Sequence, residues 1–87
     1  EIADAYNNRG LARYRQVDFA EAIDDFTQAI KFSPHLAAAY YNRGLIHYRL
    51  GRFSTAIEDM DRALSLQPSF ESAKLCKQQA LRDLTMS

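Results

Sequence analysis

The chain has 87 residues, with 11 Lys and Arg against 11 Asp and Glu, so one small domain without a net field is expected, and nothing in that balance draws it to nucleic acid or an anionic membrane surface. No apolar run approaches the roughly 20 residues that span a bilayer, and no leader-peptide pattern opens the sequence. Cys76 is alone and cannot form an internal disulfide, as in proteins of a reducing compartment, so a cytoplasmic or nuclear location is expected.

Three glycines and two prolines are too few for many strands and turns, and helices are expected throughout. Glu1 rather than Met opens the sequence, as in a piece of a longer protein. Residues 3–16 carry Tyr, Leu and Ala at steps of three and four, the period of a helix with one apolar stripe. A break follows at Val17 and Asp18. Asp18 with Glu21 three residues on has the form of a capping box, which would start a second helix at 19–32. Ser33 and Pro34 end it, because a residue before proline is biased away from helical geometry. A third helix is expected at 37–50, stopped by Gly51, which suits the left-handed conformation of a helix end. The fourth, at 53–66, lacks the acidic cap and ends at Gln67 and Pro68. A fifth, at about 70–84, would bury Phe70, Ala73, Ala80, Leu81 and Leu84.

Shifting the sequence by 34 residues lays 3–34 on 37–68 without a gap, and 15 of the 32 pairs are identical. Chance would supply one or two, so the repetition is architectural. The units are 3–36 and 37–70, and 71–87 is either a capping helix or a truncated third repeat. The spaced residues Tyr6, Gly10, Ala22, Phe26, Ala29 and Pro34, matched by Tyr40, Gly44, Ala56, Met60, Ala63 and Pro68, resemble the tetratricopeptide repeat. That resemblance implies an all-α fold, an α-solenoid of two helix–turn–helix units with a C-terminal capping helix. The sequence departs from the family pattern in Tyr6 and Tyr40 where Trp is common, in Arg9 and Arg43 where Leu is common, and in Arg13 and His47 where Tyr is usual.

Glycine inside a helix costs about 1 kcal/mol relative to alanine. Gly10 and Gly44 are therefore expected where the two helices of a unit cross closely, facing Ala22 and Ala56. The stems of Arg9 and Arg43 can lie over the neighbouring tyrosines while their guanidinium groups stay in water, a structural role.

In a stacked array of helix pairs the first helices line a concave surface. Helix geometry puts Asn8, Leu11, Tyr14 and Arg15 there, with Tyr41, Asn42, Leu45, Tyr48 and Arg49 from the second unit. The resemblance implies that this face holds a peptide segment of a partner, and that an asparagine at Asn8 or Asn42 bonds the peptide backbone; a carboxamide offers both donor and acceptor. Arginine exceeds acid on the first helix of each unit, while Asp and Glu exceed cations on the second. An acidic peptide is thus the charge-matched protein partner, unless the charges merely solvate the helices.

Some family members grip a chaperone's C-terminal carboxylates with a clamp of Lys, Asn and Arg. Here that clamp would need Lys and Asn at Asn7 and Leu11, or at Tyr41 and Leu45, and its later cations fall on Ala38 and Asn42, or on Ser72 and Cys76. Most charged donors are missing, so the chaperone clamp is not supported. No metal-ligand spacing surrounds His35 or His47, no glycine-rich phosphate loop occurs, and Cys76 has no nearby His, so neither cofactor, metal nor enzymatic activity is expected. The carboxylates Asp24, Asp25, Glu58 and Asp59 are expected on helix surfaces. The alternative to a binding scaffold is a structural or self-associating segment of a longer array, a homodimer formed through exposed helix faces where Tyr6 and Tyr14 lie open.

Overall fold

The computed structural model describes residues 1–86 as five helices: α1 (Ile2–Arg15), α2 (Phe19–Phe32), α3 (Ala37–Arg49), α4 (Phe53–Leu66) and α5 (Glu71–Met86). α1 packs on α2 and α3 on α4 as two hairpins, α2 joins the first to the second, and α5 closes the far side of α4. The result is a slab of 38 × 27 × 17 Å.

The 34-residue repetition extends to the backbone angles. Val17 and Gly51 both take positive φ, 60° and 78°. Asp18 and Arg52 follow at φ/ψ of −93°/71° and −92°/71°, and Ser33 and Gln67 match at −140°/86° and −142°/85°. At the first turn the N–H of Val17 donates to Tyr14 O and that of Asp18 to Arg13 O; Gly51 and Arg52 do the same to Tyr48 O and His47 O. This pair of bonds is the Schellman stop, which satisfies carbonyls that a helix end leaves open. One copy uses glycine at the left-handed position and the other a β-branched valine.

The capping box expected from Asp18 and Glu21 does not form. The Asp18 side chain makes no capping hydrogen bond, and Glu21 accepts instead from Arg13 Nη1 at 2.9 Å. Since Arg52 starts α4 with the same dihedrals, an acidic cap is not what begins these helices.

The core is built mostly of alanine. Ala22, Ala29, Ala39, Ala56, Ala63, Ala73 and Ala80 are wholly buried, and the large side chains as deep are Phe26, Ile46 and Met60. Small residues let helix backbones approach, and two clusters fill what remains. Ala22, Phe26 and Ile46 form one; Tyr40, Met60, Ala63 and Ala73 form the other. Each is completed by the next hairpin or helix, Ile46 plugging the first unit and Ala73 the second.

Gly10 and Gly44 lie at close crossings, as expected, but their partners differ. A Cβ on Gly10 would fall 2.6 Å from Phe26 Cε1; on Gly44 it would fall 2.9 Å from both Asp59 Cβ and Met60 Cε, with Ala56 offering only its carbonyl oxygen at 3.3 Å. A bulky residue one turn beyond the alanine occupies the room each glycine leaves. On α5, Ala73 and Ala80 are buried and Phe70 half-buried before its start, whereas Leu81 and Leu84, expected inside, are exposed.

Candidate functional site

The arginines of α1 and α3 fall into two groups. Arg9 donates from Nε and Nη2 to the two oxygens of Asp25 at 3.0 and 2.7 Å. Arg43 meets Asp59 in the same fork, at 3.0 and 2.8 Å, and its Nη1 reaches Thr27 Oγ1 at 3.3 Å. Arg13 joins Glu21 and lies 3.5 Å from Asp25. These bonds raise the Arg9 and Arg43 pKa values, the hydrogen-bonded carboxylate being the main cause. Asp25 and Asp59 are 2% and 6% exposed, so they are not the surface carboxylates expected from helix spacing. It is the guanidinium carbon rather than the stem that lies over each tyrosine ring, Arg9 Cζ at 5.3 Å from the Tyr6 centroid and Arg43 Cζ at 5.7 Å from that of Tyr40. The Arg9 side chain remains 55% exposed but that of Arg43 only 22%, so the second guanidinium is not in open water. A signal for these pairs existed in the sequence: both Arg and Asp recur unchanged 34 residues on.

Arg15 and Arg49 are different. Both are exposed, and no carboxylate pairs with either among the described residues. They lie on the face where successive first helices meet. Asn42 Nδ2 donates to Asn7 Oδ1 at 3.0 Å, the Arg49 guanidinium lies 5.7 Å from the Tyr14 ring, and the Tyr48 hydroxyl donates to Asp83 Oδ2 at 2.6 Å. Each contact joins a residue to the one 35 further along, one step more than the repeat. That offset brings side chains of α1, α3 and α5 together along one face.

The expected site residues divide on that surface. Asn8, Arg15 and Arg49 are exposed, and Asn42 is half-buried with one amide N–H held by Asn7. Leu11 and Leu45 are half-buried against the two core clusters. Tyr14 stacks on Phe19, Tyr41 tilts against Phe70 and Tyr48 against Phe53, with ring centroids 5.7, 5.0 and 5.6 Å apart. The phenols and leucines thus build the wall, while the asparagines and the two unpaired arginines carry its polar groups. Asn7 and Asp83, which helix spacing also puts on this face, complete the surface through bonds between helices. Hydrogen bonding to Asp83 raises the Tyr48 pKa, and burial raises that of Tyr41.

Other chemistry-bearing groups lie apart. Burial pushes the Cys76 thiol up, away from a reactive thiolate. His47 is half-buried, and its Nδ1 has no partner. Burial lowers its pKa, and Arg52 and Arg43 add to that against the opposite pull of Asp59. A cavity of about 430 Å³ among Phe19, Ile23, Leu50 and Arg52, and one of about 250 Å³ beside Ile2, Ala5, Tyr6 and Arg9, lie away from Asn8, Asn42, Arg15 and Arg49. No described helix is long and apolar enough to cross a membrane.

Residues 7–69 match the family model of the tetratricopeptide repeat. Among solved structures, the first such domain of Spaghetti (RPAP3), bound to the HSP90 peptide SRMEEVD, is similar at a TM-score of 0.93 and 26% identity, over 95% of this chain and 66% of that one. The TPR2B domain of yeast Sti1 in its pHsp70 complex gives 0.91 and 28%, over 94% and 66%. The second Spaghetti domain, also solved with SRMEEVD, gives 0.96 at 21% identity over 99% and 80%, a likeness of fold alone. The chain spans about two thirds of the length of the first two.

Proposed function

This chain belongs to the tetratricopeptide repeat family, and we propose that it is a non-enzymatic interaction module holding a peptide segment of a partner protein along the inner face of α1, α3 and α5. The observation that carries this reading is the pairing pattern of the arginines. Three of the five on α1 and α3 are held by carboxylates, whereas Arg15 and Arg49 stand open on the helix faces that carry Asn8 and Asn42. Exposed guanidinium groups, that of Arg49 over the Tyr14 ring, with carboxamides that can bracket a peptide unit, suit recognition of a chain segment. The peptide named for the first Spaghetti domain supports a peptide ligand here. It does not carry over as HSP90 recognition, because Asn7, Ser72 and Cys76 stand where the carboxylate clamp needs its cations and Leu11 where it needs an asparagine. The raised thiol pKa of Cys76 and the unpartnered Nδ1 of His47 favour no catalytic role.

The test is partner capture from cell extract with the protein and with Asn42→Ala/Arg49→Ala. The expected result is retention of a partner by the first and its loss from the second, with unchanged helicity by circular dichroism. Retention by both would reject the inner face.

One observation favours self-association as a second reading. Ala5 and Ala12 of α1 are exposed, although their counterparts Ala39 and Ile46 are fully buried against the preceding hairpin. Ile2 and Phe32 flank that stripe at 58% and 55% exposure. Light scattering over a hundredfold concentration range decides it: a mass that stays that of one chain removes this reading.

A further inference from the structure

We infer that the partner segment is an extended acidic peptide in which two acidic side chains three residues apart face Arg15 and Arg49, and a basic side chain three residues beyond faces Asp83. This rests on the inner-face reading and specifies its ligand.

Arg15, Arg49 and Asp83 are the same repeat position on three successive helices, each 34 residues from the next. The structure keeps them level: Arg49 reaches Tyr14, the neighbour of Arg15, and Asp83 reaches Tyr48, the neighbour of Arg49. The row therefore reads cation, cation, anion across the face. Neither arginine has a carboxylate partner among the described residues, while Asp83 accepts from two neutral donors, the Tyr48 hydroxyl and Gln79 Nε2 at 3.1 Å, and has no cation. The charges of the row await a complement.

Its spacing selects a conformation. Packed helices lie about 8–10 Å apart, and Cα atoms of α1 and α3, and of α3 and α5, approach within 8 Å. A polyproline II segment has three residues per turn and rises about 3.1 Å per residue, so side chains on one of its faces recur every ~9 Å. A β-strand returns to the same face at about 6.7 Å or 13 Å and misses the row. The polyproline II backbone also leaves its amide groups unbonded, and Asn8 and the carboxamide oxygen of Asn42, each seven residues or about two helical turns from the charged row on the same helix face, have groups to meet them.

The experiment is selection of a random dodecapeptide display library on the folded protein, followed by fluorescence anisotropy with synthetic winners. Expected winners carry Asp or Glu at i and i+3 with Lys or Arg at i+6, or the same order reversed. Moving the acids to a two-residue spacing, or Arg49→Glu, weakens binding about tenfold or more, and Asp83→Asn, which keeps an acceptor for Tyr48, removes the preference for the basic residue. Winners that need Asn42 but show no such spacing, and bind Arg15→Glu and Arg49→Glu unchanged, overturn this inference and leave the inner face standing. Winners indifferent to Asn42→Ala overturn both, and a selection without winners overturns the inference. Circular dichroism confirms that each variant is folded.

Discussion

Removing a guanidinium from a buried carboxylate leaves a charge with neither solvent nor partner, at a cost of about 3–5 kcal/mol. Asp59 is in that position beneath Arg43. Arg43→Met is therefore expected to lower the urea midpoint steeply, while Arg43→Met/Asp59→Leu recovers most of the loss because an apolar pair has no charge to bury. Arg9→Met should have the smaller effect, since its side chain is the more exposed. His47 offers a pH test. Its folded pKa lies below the ordinary 6.5, so the unfolded chain binds more protons between the two values. The stability owed to neutral His47 is complete above 6.5 and is lost as pH falls through the folded pKa. Thermal melts from pH 7 downward should show a fall that His47→Gln reduces. At this scale the arginines were visible in the sequence but not their fates: whether a guanidinium meets a carboxylate 16 residues away is set by the crossing of two helices.

The helices themselves were legible nearly to their ends, because a 3.6-residue apolar period and the two prolines are local signals. The cap was not: Glu21 has the right spacing to Asp18, yet Arg13 takes it from the preceding helix. The two Schellman stops share one geometry but not one residue. Val17 at φ 60° has a β-branched side chain in the left-handed region, which costs about 1–2 kcal/mol, whereas Gly51 at 78° has no such cost. Val17→Gly should raise the melting temperature by several degrees, about 4–8 °C for each kcal/mol in a domain of this size, after the greater chain entropy of glycine offsets part of the gain. Gly51→Val should lower it. Thermal circular dichroism of the two variants is the check, and a Val17→Gly protein that melts earlier would show that the turn is unstrained.

Across the whole molecule, each hairpin depends on what packs after it. Tyr40, Met60 and Ala63 are covered by Ala73 of α5, with Phe70 and Cys76 at the margin. We read α5 as a cap, since Gln78 stands at the position where Gly10 and Gly44 admit a partner helix. A chain ending at residue 69 is expected to lose its cooperative thermal transition and to aggregate on heating, followed by circular dichroism and light scattering. A sharp transition in the shortened chain would mean that two hairpins suffice.

The sequence by itself determined the five helices, the 34-residue unit and the family, because periodicity, turn residues and self-similarity are written along the chain. Helical spacing also put Asn8, Asn42, Arg15 and Arg49 on one face, along which we propose the peptide lies. Only the tertiary structure decided which charges are consumed: Arg9, Arg13 and Arg43 are neutralised by Asp25, Glu21 and Asp59, and Arg15 and Arg49 are left over. The reason is the crossing of the two helices in each hairpin, which sets carboxylates 16 residues away against Arg9 and Arg43 and which no single helix encodes.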